Sequence, residues 1–92
     1  MNKNFSYNIK PDNSPEVFDK ACREFEKAFP NAVKEKLIID VDGSTIQRYY
    51  TDNGEMVIVD DYYIGAVYAD SDFLISEITK SPDLLKMFII LN

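Results

Sequence analysis

The chain has 92 residues, 46% of them apolar and 13% aromatic, which predicts one globular domain spanning residues 1–92 and excludes a disordered chain. No apolar run approaches the roughly 18 residues of a membrane span, and Met1–Lys10 lacks the apolar core of a signal peptide, so we expect a cytoplasmic protein. The absence of histidine excludes an imidazole base, and the single cysteine, Cys22, cannot form an internal disulfide.

The net charge of −6 is distributed unevenly along the chain. Residues 1–37 carry seven basic and six acidic side chains, whereas residues 38–83 carry ten acidic side chains against only Arg48 and Lys80. A surface of this charge repels the phosphates of nucleic acids and membranes and attracts basic proteins. We therefore expect a protein partner, and neither a nucleic acid nor a membrane.

The first predicted elements are a strand and a helix. Alternating apolar residues over Asn4–Lys10 predict a strand at an edge of a sheet. Ser14 and Pro15 then predict the start of a helix, because serine caps free N–H groups and proline is tolerated at the first helical position. Apolar residues continue at helical spacing to Phe29, and Cys22 falls on this apolar face.

Four short strands are predicted next, because segments rich in Val, Ile, Thr and Tyr alternate with turns that contain Gly, Asn or Asp. Both faces of these strands carry apolar residues, so the second face is expected to meet a second copy, another protein or the ends of the chain. The predicted strands are Lys36–Val41, Ser44–Thr51, Glu55–Asp60 and Tyr62–Ala69.

Two helical pieces are predicted after the strands. The first covers residues 73–79, and the second begins at Ser81 and Pro82 and extends to Ile89. The predicted fold class is therefore α+β: a four-stranded antiparallel meander with an N-terminal helix and one or two C-terminal helices packed on it, and an additional N-terminal edge strand.

Acidic side chains lie near the ends of the predicted strands. Alternate turns of a meander fall at opposite ends of the sheet, so Asp42 is expected beside Asp60 and Asp61. The other end is expected to carry Asp52, Glu55, Asp70 and Asp72. Asp is common in turns for structural reasons alone, but carboxylates fixed on a rigid surface can also imitate DNA, which carries one charge per roughly 1.7 Å of duplex axis. The predicted partner-binding residues are Asp40, Asp42, Asp52, Glu55, Asp60, Asp61, Asp70 and Asp72.

The acidic residues give less support to a calcium site or to glycoside hydrolysis. The segment Asp40–Ser44 resembles the start of a calcium loop but lacks the remaining ligands of that pattern. Glycoside hydrolysis needs two carboxylates in a cleft with tuned pKa values, and nothing in the chain predicts such a cleft. We therefore predict no catalytic residue, no metal and no cofactor, and hence a protein that is not an enzyme.

Two adjacent tyrosine pairs, Tyr49-Tyr50 and Tyr62-Tyr63, belong to the predicted strands. Neighbouring side chains of a strand point to opposite faces, so we expect one ring of each pair in the core and the other half exposed. An exposed tyrosine beside acids also fits a protein interface. Aromatic platforms for nucleic-acid bases come with Lys and Arg, which this stretch lacks.

In length, acidity and a composition rich in Asn, Lys, Ile and Tyr, the chain resembles the Arn-like anti-restriction proteins of T-even phages. The resemblance covers the whole chain without a short motif, and its quotable residues are the acidic turns DVDGS, TDNGE, VDDYY and ADSD. It implies a homodimer that copies the shape and charge of a DNA duplex. It also implies that this dimer blocks the DNA-binding surface of a host restriction nuclease such as McrBC.

An alternative function also relies on attraction between acidic and basic surfaces, but with a different partner. Bacterial immunity proteins for nuclease toxins are also small, acidic α+β proteins, and they neutralise a basic active site by covering it. A metabolic enzyme or a small-ligand module is a third class, for which the sequence offers no supporting motif.

Overall fold

One antiparallel sheet of seven strands organises residues 3–91, the part of the chain that the computed structural model describes. Met1, Asn2 and Asn92, which belong to the predicted domain 1–92, lie outside the described residues. The strands are β1 (Phe5–Lys10), β2 (Val33–Lys34), β3 (Ile38–Ile39), β4 (Thr45–Thr51), β5 (Gly54–Asp61), β6 (Ala66–Ser71) and β7 (Ile89–Leu91). The helices are α1 (Pro15–Ala28), α2 (Ile75–Ile78) and α3 (Pro82–Met87).

The strands follow one another across the sheet in the order β2, β4, β5, β6, β1 and β7. The short strand β3 also pairs with β4, on the same side as β2, so β2 and β3 together form one edge of the sheet. Strands β3 to β6 are the predicted meander of four consecutive antiparallel strands. The predicted α+β class is thus confirmed, with two C-terminal helices.

The predicted edge position of the first strand is wrong, because β1 lies between β6 and β7. Ser6 pairs with Leu91 on one side and with Asp70 on the other. The sequence predicts a helix that extends to Ile89, but α3 ends at Met87 and Ile89–Leu91 form β7. These three residues are β-branched or apolar, and pairing with the free side of β1 decides their conformation.

Two strands of the meander are shorter than predicted. The first is reduced from Lys36–Val41 to the two residues of β3. The last begins at Ala66 rather than Tyr62, because the Asp61 carboxylate accepts hydrogen bonds from the N–H groups of Tyr63 and Ile64 and stabilises a turn there.

The helix α1 forms where the sequence predicts it and covers one face of the sheet. Ser14 Oγ accepts a hydrogen bond from the N–H of Val17 at 3.2 Å, and Pro15 occupies the first turn. On its inner face, the ring of Phe25 lies 4.8 Å from that of Tyr49 on β4. The buried core consists of Tyr7, Phe18, Ala21, Cys22, Phe25, Tyr49, Met56, Ile58, Val67, Ala69, Phe73, Ile75, Leu84 and Phe88.

Tyr7 joins β1 to the C-terminal helices. Its hydroxyl donates a hydrogen bond to the carbonyl oxygen of Phe73 at 2.9 Å and accepts one from the N–H of Ile75 at 3.2 Å. Its ring meets that of Phe88 edge-on, with the centroids 5.9 Å apart. The helices therefore share one face of the sheet. None of the helices within residues 3–91 has the length and apolar character needed to cross a bilayer.

Candidate partner-binding site

The face of the sheet opposite α1 is the candidate site, and we call it the open face. Val57 and Tyr68 lie there, partly exposed, whereas Met56 and Ala69 point into the core. A shallow depression crosses the open face, and five carboxylates and two basic groups line it. These charged residues are Lys3, Asp40, Asp42, Arg48, Glu55, Asp61 and Asp70. The depression therefore carries an excess of three negative charges.

Asp40 and Asp42 stand in the exposed turn between β3 and β4. Asp40 Oδ1 accepts a hydrogen bond from the N–H of Val41 at 2.8 Å, and Asp42 Oδ1 accepts one from the N–H of Ser44 at 2.9 Å. Hydrogen bonds from Ser44 hold the pKa of Asp42 below its ordinary value. Both carboxylates keep free oxygen atoms towards solvent, where a basic partner can reach them.

Asp61 lies beside this turn, as the meander predicts. The two turns are joined by Ser44 Oγ, which accepts a hydrogen bond from the N–H of Tyr62 at 2.8 Å. Asp61 Oδ1 accepts from the N–H of Tyr63 at 2.9 Å, and its other oxygen accepts from the hydroxyl of Tyr68 at 3.2 Å. Burial and this carboxylate raise the pKa of Tyr68 to about 12. Both oxygens of Asp61 therefore accept hydrogen bonds within the protein, and the side chain is only partly exposed.

Asp70 occupies the middle of the open face rather than an end of the sheet. It lies opposite Val57 in the register of β5 and β6. Its Oδ1 accepts a hydrogen bond from Ser6 Oγ at 2.6 Å, which fixes the carboxylate above β1. Asp70 thus extends the acidic surface inward from the turns.

Two of the predicted acids at the opposite end are held by a lysine. Lys3 Nζ contacts Glu55 and lies 3.6 Å from Asp72 Oδ1. Arg48 Nε lies 3.5 Å from the second oxygen of Glu55, and Asp72 Oδ2 accepts the N–H of Glu55 at 2.9 Å. These contacts offset the charge of Glu55 and Asp72, so both contribute less to the acidic surface than their sequence positions predict.

The prediction that Asp60 binds a partner is wrong, because this side chain is only 2% exposed. Asp60 Oδ1 accepts hydrogen bonds from Asn13 Nδ2 at 3.1 Å and from the N–H of Ser14 at 3.3 Å. The carboxylate therefore joins the loop before α1 to the sheet. The sequence contained the signal, since Asp60 continues the two-residue period of the buried Met56 and Ile58.

Asp52 is exposed in the hairpin turn between β4 and β5, where Thr51 Oγ1 accepts the N–H of Asn53 at 3.0 Å. It does not line the depression. Of the eight predicted acids, the structure therefore brings three to the open face with an oxygen that accepts no hydrogen bond, namely Asp40, Asp42 and Asp70. Asp61 also lies on this face, but both of its oxygens accept hydrogen bonds.

The two tyrosine pairs differ in their environment. Tyr49 is fully buried and Tyr50 is 43% exposed, as predicted for a strand. Tyr62 and Tyr63 lie in a turn instead, and both are exposed. Tyr63 lines the acidic depression, so an aromatic ring belongs to the site beside the carboxylates. Tyr63 reaches the depression because Asp61 forms a turn at this point, and sequence alternation does not reveal that turn.

A second polar cluster lies under α1, away from the open face. The hydroxyl of Tyr49 donates to Glu26 Oε2 at 2.5 Å, and Lys34 Nζ lies 2.9 Å from the same oxygen. Partial burial alone would raise the pKa of Glu26, but hydrogen bonds from Tyr49 and Lys34 hold it below its ordinary value. Burial raises the pKa of Cys22 to about 11. The cluster therefore fastens α1 to β2 and β4 rather than activating the thiol.

Among residues 3–91, no three His, Cys, Asp or Glu side chains are arranged to hold a metal ion. Comparison with protein-family models, with curated proteins and with solved structures found no match to this chain. The function is therefore inferred from the charges and hydrogen bonds of the open face.

Proposed function

We propose that the chain is a non-enzymatic acidic inhibitor that occupies the DNA-binding surface of a host restriction nuclease. The acidic depression of the open face supports this proposal, because its five carboxylates outnumber Lys3 and Arg48. A groove that binds DNA presents Lys and Arg to phosphates, and the same groups pair with carboxylates. The resemblance to Arn-like anti-restriction proteins favours McrBC as the target and the host cytoplasm as the place of action.

The structure narrows the set of acids that this function would use. Asp40, Asp42 and Asp70 have oxygen atoms free for a partner after their short hydrogen bonds are counted. Glu55 already contacts Lys3 and Arg48, so a partner would have to replace those ion pairs. The proposed contact is therefore an acidic patch at one end and in the middle of the open face.

A DNA cleavage assay with McrBC and methylated DNA tests the proposal. The triple variant Asp40→Asn, Asp42→Asn and Asp70→Asn should lose inhibition, because it removes charge while the amide oxygen can still accept the local hydrogen bonds. The matched control replaces three exposed aspartates elsewhere, at positions 12, 19 and 83, by asparagine. Equal inhibition by both triple variants would reject the open face as the site.

The immunity function remains the second candidate, and one observation favours it. Apolar and aromatic side chains, among them Ile46, Val57 and Tyr63, line the depression together with its carboxylates. A row of phosphates has no such groups, whereas protein interfaces combine apolar and aromatic cores with polar rims. This candidate predicts one tight partner encoded by an adjacent gene. Co-expression with that neighbour separates the two functions, since only an immunity protein protects the cell from it.

A further inference from the structure

A groove opens between α1 and the edge of the sheet, on the side of the sheet away from the open face. It encloses about 390 Å³, which lies within the range of about 300 to 1,000 Å³ that small-molecule sites occupy. Helix α1, residues 34–37 and strand β4 all contribute side chains to it. Phe18, Cys22 and Leu37 form the apolar part of its wall. The groove therefore has the size and the partly apolar surface of a small-ligand site.

Gln47 of β4 lines this groove with an amide whose orientation is fixed. The side chain is only 2% exposed. Its Nε2 donates hydrogen bonds to the carbonyl oxygen of Glu35 at 2.6 Å and to that of Arg48 at 3.3 Å. Carbonyl oxygens can only accept, so the nitrogen of the amide must face them, and Oε1 must lie on the other side.

The Oε1 atom of Gln47 is an acceptor that the protein itself leaves unused. Both hydrogen bonds of this side chain use Nε2, and no group within residues 3–91 donates one to Oε1. In the same part of the chain, no fully buried side-chain nitrogen or oxygen lacks a partner. Oε1 is therefore reached from outside the protein, and the groove is the space that Gln47 lines. A ligand with an N–H or O–H group can donate to it there.

The charged groups that line the groove do not select an ion. Three carboxylates, those of Asp19, Glu26 and Glu35, are opposed by Arg23 and Lys34. Lys34 Nζ lies 2.9 Å from Glu26 Oε2, so these two charges already offset each other. The excess is a single negative charge, whereas a site for an ion concentrates charge of the opposite sign. The groove therefore fits a neutral ligand.

We propose that this groove binds a small neutral aromatic heterocycle whose ring N–H donates a hydrogen bond to Gln47 Oε1. The ring lies against the apolar wall, where Leu37 is 44% exposed and gains from being covered. A water molecule also satisfies Oε1, but it gains nothing from the apolar wall. The proposal is independent of the proposed function, because Gln47 and the open-face residues Ile46 and Arg48 alternate along β4 and point to opposite faces.

Two matched probes, indole and benzofuran, test the proposal in NMR titrations of the isotope-labelled wild-type protein. Indole is a neutral aromatic ring system with one N–H donor, and benzofuran has nearly the same shape with an oxygen in place of that N–H. Indole should shift the side-chain amide signal of Gln47 and the backbone signals of Leu37 and Thr45. It should bind at least about tenfold more tightly than benzofuran, which places an acceptor against Oε1.

The variant Gln47→Met tests the role of the acceptor, because it removes Oε1 and keeps a side chain of similar length. It should bind indole no more tightly than benzofuran. Leu37→Ala, at a half-exposed position, should weaken the binding of both probes and keep the preference for indole, since it reduces only the apolar wall. Asp83→Asn, an exposed site elsewhere, is the control and should bind both probes as the wild type does.

Three results would overturn the proposal. The first is that indole at about 10 mM leaves the signals of Gln47, Leu37 and Thr45 unchanged. The second is that the wild type binds indole and benzofuran equally, which would mean that only the apolar wall is recognised. The third is that folded Gln47→Met keeps the preference for indole. If this variant does not fold, the comparison of the two probes on the wild type decides alone. None of these results bears on the inhibition of a nuclease through the open face.

Discussion

Cys22 illustrates how burial sets the chemistry of a single residue. Its thiol lies at the junction of α1 and β4, only 8% exposed, next to the hydroxyl of Tyr49. Burial penalises the thiolate and raises the pKa of the thiol to about 11. The thiol therefore stays protonated at neutral pH and serves as a small apolar group in the core.

This raised pKa predicts a loss of stability in alkali. Between about pH 9 and pH 11 the unfolded thiol loses its proton while the folded thiol retains it, so the free energy of unfolding falls as pH rises. At about 1.4 kcal/mol per pKa unit, the loss is roughly 2 to 3 kcal/mol. Urea unfolding at pH 7, 9 and 11 measures it for the wild type and for Cys22→Ala. The stability difference between them should shrink with pH; a constant difference would contradict the argument.

At the scale of elements, the hairpin between β4 and β5 depends on Gly54. Its φ is +128°, and a Cβ atom placed there would lie 2.7 Å from Cβ of Asp72. Asp72 cannot easily move, because its carboxylate accepts the N–H of Glu55 and lies near Lys3. The turn after Asp61 also needs a positive φ, at Gly65, but there the nearest atom to an added Cβ is 3.9 Å away.

The two glycines therefore form a matched pair for substitution by alanine. Gly65→Ala should cost about 1 kcal/mol of stability, which is the strain of a positive φ alone. Gly54→Ala should cost at least about 2 kcal/mol more, because a steric clash is added to the strain. Thermal unfolding of both variants compares these costs. Similar losses at the two positions would show that Asp72 moves aside without cost.

The same elements show what the sequence could reveal. The start of α1 at Ser14 and Pro15 and the hairpin at Gly54 are local signals, because the residues that determine them are adjacent in the chain. The end of α3 is not determined by a local signal. Ile89 fits a helix by spacing, and pairing with the free side of β1, which is distant in the chain, makes it part of a strand.

For the site, alternation could have shown that Asp60 is buried. No local pattern could have shown that Lys3 pairs with Glu55.

At the scale of the whole molecule, the net charge of −6 should control how fast a partner is found. Exposed charges are screened over about 10 Å at 0.1 M salt and about 3 Å at 1 M salt. The association rate with a basic nuclease should therefore fall by at least about tenfold between 0.05 and 0.5 M salt. Stopped-flow binding to McrBC measures this rate. A rate independent of salt would mean that the apolar part of the open face dominates recognition.

The pairing of β1 with β7 has a consequence for the synthesis of the protein. Leu91, the neighbour of Ser6 in the sheet, is added to the chain 85 residues after Ser6. Loops of this length close slowly, and they cannot close at all before both ends exist. The side of β1 that pairs with β7 therefore stays unpaired until residue 91 has been added, and during that time its free backbone groups are open to pairing with another strand.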